Sequence, residues 1–162
     1  MTTLERALMV GRGNTWRPRF VFVADGEPFA ILPEDDLRFR VRWPDGGLVR
    51  RRSDGGIRVS GNTADAAFAS VETRLIPFGA LGYMELEYWR AGVERTVLAG
   101  NLGGQYGLNE DGTADAMALL DAPPTDVIEV EIISSQFAVP PDDQTGLNFA
   151  WSINSGYAAL MF

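Results

Sequence analysis

The sequence predicts an all-β protein, folded as an antiparallel sandwich of short strands. Seven runs with strand character lie between residues 19 and 99, and turn residues separate them at short, regular spacing. Several of these runs alternate apolar and polar residues with a period of two, which is typical of a strand with one buried face. This part of the chain shows no competing helical period, so a β-sandwich or barrel is expected.

The strands follow one another with turn signals between them. Asp25-Gly26 ends the first strand, and "PDGG" and "SDGG" end the second and third. Asp-Gly pairs between alternating runs favour tight hairpins, because both residues tolerate a positive φ. The predicted strands are residues 19–24, 37–43, 48–52, 57–60, 68–75, 83–89 and 95–99.

The character of the chain changes after residue 100. A glycine-rich loop is predicted at 100–112, then a short helix at 113–122 with Thr113 as its N-cap, ended by Pro123 and Pro124. Further strands are predicted at 127–133, at 147–153 and in the apolar segment that ends at residue 162. We therefore expect a sandwich over 1–100 and an acidic C-terminal extension over 101–162. The extension is either an interaction arm hinged at the glycine-rich loop or a source of added strands.

Three missing residue types restrict the chemistry. The chain has no histidine or cysteine, and all 14 of its basic residues are arginine. These absences exclude Ser-His-Asp and Cys-His nucleophiles, zinc sites built on His or Cys, and catalytic lysines. We expect a protein that is not an enzyme and that has no cofactor and no metal. A hydrolase using a carboxylate pair such as Glu85 and Glu87 is the alternative that composition leaves open.

Charge is unevenly distributed along the chain. Residues 1–100 contain all 14 arginines and 13 acidic residues, whereas residues 101–162 contain 9 acidic residues and no basic one. Nucleic-acid affinity depends on phosphates neutralised by Lys and Arg, so a nucleic-acid partner is not expected. Neither a signal peptide nor an apolar run of membrane-spanning length is visible, so we expect no membrane partner.

The run "LRFRVRW" at 37–43 places three arginines on one face of a predicted strand. These arginines could form cross-strand pairs with Glu72, Glu85 or Glu87 on a solvated face, line a subunit interface, or bind nucleic acid. The apolar C-terminal end could be an edge strand of this domain or could dock on a neighbour. The candidate protein-interface residues are Arg38, Arg40, Arg42, Tyr157, Leu160 and Phe162.

Tryptophan suggests a different binding function. Trp16, Trp43, Trp89 and Trp151 could stack on sugars in a carbohydrate-binding module, although tryptophan is more often found in a core or an interface. Glycan binding therefore stays an alternative to a role based on protein contacts.

A more specific pattern extends over residues 11–100. Gly13-Asn14-Thr15 is followed by Asp25-Gly26-Glu27-Pro28, by the strand at 37–42, by Gly82-Tyr83 with two downstream glutamates, and by Gly100. This pattern resembles the N-terminal Ig-like domain of phage baseplate upper proteins and related tail-fibre adaptors. Asn14 stands where that family usually has Asp, and residues 101–162 match nothing in the pattern.

The resemblance implies an Ig-like structural protein of a virion, assembled in the host cytoplasm. It would be a component of the baseplate, the tail-fibre base or an adaptor. Its partners would be other phage structural proteins and further copies of itself. A head-surface decoration protein, a fibre protein or a carbohydrate-binding sandwich are the alternatives.

Overall fold

The computed structural model describes residues 1–107 and 109–137. Within them, no helix has the length and apolar character needed to cross a bilayer. The one α-helix among these residues is α1, Ser70–Thr73, and 3-10 turns occupy Arg52–Asp54 and Ser134–Phe137. The strands are β1 (Thr2–Thr3), β2 (Leu8–Gly11), β3 (Pro18–Ala24), β4 (Glu27–Pro28), β5 (Asp36–Trp43), β6 (Gly46–Arg51), β7 (Arg58–Ser60), β8 (Thr63–Asp65), β9 (Gly79–Arg90), β10 (Val93–Gln105) and β11 (Asp126–Glu131).

The strands form two sheets, which confirms the predicted all-β sandwich. One sheet has the order β1-β10-β9-β5-β6, with β2 also pairing with β10. The other has the order β11-β3-β8-β7, with β4 pairing with β3. The arrangement is mixed rather than purely antiparallel, because β1 and β2 run parallel to β10 and β11 runs parallel to β3. Parallel pairs need long crossovers, which turn signals in the sequence do not reveal.

Hairpins lie at Asp25-Gly26 and at "PDGG", where Pro44 and Asp45 are the central residues. The hairpin predicted at "SDGG" is wrong, because this segment overlaps the 3-10 turn Arg52–Asp54 and leads to β7 in the other sheet. Asp25 and Gly26 have φ values of 52° and 79° and join β3 to β4 as a two-residue hairpin. Ala91 and Gly92 have the same signs, 51° and 79°, between β9 and β10. Positive φ at both central residues gives a turn whose twist matches that of the strands, so these hairpins also set the strand register.

The core lies between the sheets and is rich in aromatic rings. Alternate residues of β3 and β5 face inward, and Phe20, Phe22 and Phe39 have no exposed surface. The Phe39 ring lies 4.9 Å from that of Phe20 and 5.8 Å from that of Trp16, centroid to centroid. Rings of this size supply most of the apolar area buried in the interior.

Two predicted elements are wrong. The segment 68–75 was predicted as a strand but contains α1, where the Glu72 carboxylate accepts a hydrogen bond from the Ala69 amide at 2.8 Å. The segment 113–122 was predicted as a helix but has no helical turn. Its Ala116 amide donates to Ser70 Oγ and its Ala116 carbonyl accepts from the Ser70 amide, so contacts with α1 replace internal hydrogen bonds.

The described part of the extension belongs to the sandwich. β10 continues to Gln105, so Gly103 lies within a strand and not in a hinge loop; a Cβ on Gly103 would lie 1.9 Å from the Gly79 carbonyl oxygen. β11 pairs with β3 along its whole length and buries Ile128 and Val130. This segment therefore supplies a core strand. The strands predicted at 147–153 and at the chain end lie outside the described residues.

Candidate interaction surface

The three candidate arginines of β5 lie on the outer side of the six-stranded sheet. The register places Arg38 opposite Glu87 and Arg40 opposite Glu85 on β9. Arg38 Nε donates to Glu87 Oε1 at 2.6 Å, and Arg40 Nη2 donates to Glu85 Oε1 at 2.7 Å. The predicted pairing with these two glutamates is confirmed. The five residues Arg38, Arg40, Arg42, Glu85 and Glu87 are called the charged face below.

The three arginines of the charged face differ in their exposure and in how closely a glutamate binds them. Arg40 is held by Glu85, and this hydrogen bond raises the pKa of Arg40. Arg42 is more exposed, with 56% of its side chain accessible, and its Nη2 lies 3.6 Å from Glu85 Oε2. Because Arg38 and Arg40 both bind carboxylates of their own chain, the surface is close to electrically neutral. That balance does not favour phosphate binding.

The third glutamate considered as a partner binds elsewhere. Glu72 accepts from Arg50 Nη2 at 2.7 Å, and the same guanidinium lies over the Phe68 ring. Arg50 also donates to the carbonyl oxygens of Val49 and Ala67. These contacts hold the Arg50 side chain against the Val49 carbonyl of β6.

The three tryptophans that the structure describes do not form a common sugar-binding platform. Trp16 is 2% exposed and stacks on Phe68 at 5.1 Å in the core, which is the more frequent role of tryptophan and leaves it unable to stack on a sugar. Trp89 is partly buried between the guanidinium groups of Arg38 and Arg51, which lie 5.5 and 4.9 Å from its ring. Trp43 is partly buried against the core, and Trp151 lies outside the described residues.

A buried polar cluster forms at the start of β5, and sequence reasoning missed it. The Asp35 side chain has no exposed surface and accepts hydrogen bonds from Tyr88 Oη at 2.5 Å, Arg90 Nη2 at 2.7 Å and the Leu32 amide at 2.9 Å. Burial by itself would raise the pKa of Asp35, but these hydrogen bonds outweigh it and the pKa is lowered. Burial and the contact with Asp35 raise the pKa of Tyr88.

The hydrogen bonds of the Asp35 cluster indicate a structural role. Its carboxylate oxygens are occupied by donors of its own chain, and Arg52 binds the Asp35 carbonyl from outside at 2.7 Å. Asp35 lies 53 positions from Tyr88 and 55 positions from Arg90, so no local motif indicates the cluster. The cluster fixes the loop that leads into β5.

One end of the six-stranded sheet carries large exposed apolar side chains. Leu75, Phe78, Leu81 and Tyr106 are 61%, 49%, 64% and 80% exposed, and they lie where β9 begins and β10 ends. The Phe78 and Tyr106 rings lie 6.3 Å apart, and the Arg12 guanidinium lies 4.1 Å from the Phe78 ring centre. We call these four residues the apolar end. Phe78 and Tyr106 are in contact, and exposed apolar groups at one end of a sheet form a candidate interaction site.

Three of the six candidate interface residues cannot be placed. Tyr157, Leu160 and Phe162 lie outside the described residues, as does the segment that contains them. The structure therefore places Arg38, Arg40 and Arg42 together on the charged face, and it identifies the apolar end as a surface that sequence reasoning did not find.

The two carboxylates considered for catalysis are bound to arginines of the same chain. Glu85 and Glu87 bind arginines, so neither is free to act as a general acid or nucleophile in the arrangement seen. Within residues 1–107 and 109–137, no group of three or more metal-ligating side chains occurs.

Comparison with known proteins adds no relative. No family model matches the chain, and neither a curated protein nor a solved structure matches it.

Proposed function

We propose that this protein is a structural component of a tailed bacteriophage or phage-like particle. It works as a homo-oligomer through protein contacts at the baseplate, the tail-fibre base or an adaptor position. The observation that carries the proposal is the apolar end: four large apolar side chains exposed together, beside a charged face whose main ion pairs are satisfied within the chain.

The sequence pattern over 11–100 supports the particle assignment. The pattern includes the Asp25-Gly26 turn and the segment from Gly82, which lies within β9 (Gly79–Arg90). Rigid two-residue turns and a paired charged face suit a module that presents a fixed surface to neighbours.

Co-sedimentation tests the particle assignment directly. Particles induced from the source organism are banded on a density gradient and searched for this chain by quantitative mass spectrometry. Presence at a fixed ratio to the major capsid or tail protein supports the proposal, and the copy number distinguishes head from tail. Absence from intact, infectious particles contradicts it.

A matched pair of variants tests the apolar end. The double variant Leu81→Ser, Tyr106→Ser should shift native mass spectra and sedimentation profiles from oligomer toward monomer while the melting temperature stays close to that of the unmodified protein. Val49→Ser removes another exposed apolar side chain, 48% accessible, from β6 and should leave the oligomer unchanged. An oligomer that both variants leave intact would show that the apolar end is not the contact.

A further inference from the structure

Strand β11, at one end of the five-stranded sheet, has an edge that pairs with no other strand among the described residues. Ile132 donates its amide to the Val23 carbonyl, whereas the Glu131 amide points the other way and donates to Thr2 Oγ1. Backbone groups of a strand alternate in direction, so the amides and carbonyls of Val127 and Glu129 also point away from β3. Among the described residues, β11 pairs with β3 alone. An edge of this kind is a template for another strand.

A groove runs beside this open edge. It has a volume of about 400 Å³ and lies between residues 4–8, which connect β1 to β2, and residues 127–129 of β11. Leu4 and Leu8 pack against the core from one wall, and Ile128 is buried in the other. The floor of the groove is therefore apolar, and its wall of exposed backbone offers hydrogen bonds. An added strand uses these two features together.

The charge at the groove differs from that of the charged face. Glu129 and Glu131 are exposed on β11, and neither has an arginine partner within the part of the chain that is described. Glu5 and Arg6 lie on the opposite wall, so the groove region has a net negative charge. The glutamates of β9, by contrast, are paired with arginines of β5.

The negative charge at the groove favours one of three possible occupants of this edge: a second copy of the chain, residues 138–162 of the same chain, or a segment of another protein. A second copy that paired through the same edge would place Glu129 and Glu131 against glutamates, and like charges on adjacent strands destabilise a sheet. Residues 138–162 of this chain contain Asp142 and Asp143 and no basic residue. An extended segment of another protein with Lys or Arg at alternate positions is complementary.

We propose that β11 accepts such a foreign segment as an additional strand. The segment's backbone pairs with Val127 and Glu129. Its apolar side chains enter the groove beside Leu4, Leu8 and Ile128, and its basic side chains lie next to Glu129 and Glu131. The proposal goes beyond the particle assignment and does not depend on it, because it concerns the chemistry of one sheet edge.

Hydrogen exchange and peptide titration test it with the full chain. The probes are two acetylated seven-residue peptides that alternate valine with lysine or valine with glutamate. The lysine peptide should bind, slow exchange at the Val127 and Glu129 amides, and bind about tenfold more tightly than the glutamate peptide. The double variant Glu129→Lys, Glu131→Lys should reverse the preference, while the double variant Glu27→Lys, Glu94→Lys, an equal charge change at exposed positions of β4 and β10, should leave it unchanged.

The opposite results overturn the proposal. They include binding of neither peptide, equal binding of both, or a preference that the double variant leaves unaltered. Amides of Val127 and Glu129 that are already slow in the free protein would show that the edge is occupied. Dependence of that slowing on protein concentration would identify a second copy, and independence would identify the chain itself.

Discussion

The edge strands β6 and β11, on the two flanks of the sandwich, differ in the contacts that their free edges make. On one flank, Arg50 lies along β6, donates to the Val49 carbonyl and to Ala67, and is bound by Glu72. On the other flank, β11 receives one such contact from the described residues, between the Glu131 amide and Thr2. Side chains of the chain itself contact the first flank, whereas the second, among the described residues, presents backbone groups and two carboxylates without arginine partners. Edge strands invite pairing, so an open edge with a defined charge restricts which strand can add to it.

The largest expected effect comes from removing the open flank. A chain truncated after residue 125 loses Ile128, Val130, Ile132 and Phe137 from the core. Each such loss costs about 2–5 kcal/mol, against a typical total stability of about 5–15 kcal/mol. The truncated chain should therefore not unfold cooperatively, as measured by circular dichroism on heating. The control is a chain ending at residue 137, which keeps these residues. A cooperative melt of the shorter chain would show that β11 is dispensable.

Removing the buried carboxylate at the start of β5 should come next. Asp35→Ala leaves Arg90 and Tyr88 without their acceptor, and breaking a buried pair in this way costs about 3–5 kcal/mol. Urea denaturation measures the loss. Asp35→Asn keeps an acceptor for Tyr88 and should lose less. Equal losses for both variants would mean that packing, rather than hydrogen bonding, carries the effect.

Acid should weaken the same cluster. The folded pKa of Asp35 is lowered, so the ionised carboxylate contributes stability above its unfolded pKa of about 3.9, and this stability is lost as the pH falls through the folded value. The free energy of unfolding of the unmodified protein should therefore fall more steeply below about pH 4 than that of Asp35→Asn. Denaturation curves between pH 2.5 and 6 check this difference. Parallel profiles would contradict it.

Uncovering the β6 edge should have a smaller effect on stability and a visible effect on association. Arg50→Ala removes donors from the Val49 and Ala67 carbonyls and leaves Glu72 without its arginine partner, at a cost of about 1–3 kcal/mol. The exposed edge should also increase self-association in sedimentation experiments. Arg95→Ala, which loses one exposed contact to a neighbouring carbonyl, is the control. Unchanged association would show that Arg50 does not protect the edge.

The smallest effect is expected from one pair of the charged face. A double-mutant cycle on Arg40 and Glu85 should give a coupling of about 0.2–1 kcal/mol that decreases with added salt. The same cycle on Arg58 and Asp121 should give no measurable coupling, because the Asp121 side chain is 89% exposed. Equal coupling energies in the two cycles would show that partial burial does not strengthen the Arg40–Glu85 pair.

Sequence reasoning worked best where a property is local. Alternation at 37–43 and the Asp25-Gly26 turn predicted a strand and a hairpin that the structure contains. It failed at 113–122, where helix signals are present but hydrogen bonds between Ala116 and Ser70 prevail. It also missed the apolar end, because Leu75 and Tyr106 are brought to one end of the sheet by the pairing of β9 with β10.

The sequence by itself determined the all-β class, the positions of several tight turns, the absence of His, Cys and Lys chemistry, and an arginine strand with glutamates available to pair with it. These follow from side-chain period, backbone φ preference and composition, which need no knowledge of the fold. The tertiary structure alone decided that Arg38 meets Glu87, that Asp35 is buried against Tyr88 and Arg90, and that β11 joins β3 in parallel with no described strand on its far side. Those contacts join residues about 50 to 110 positions apart, and the core packing that selects them is not written in any local segment.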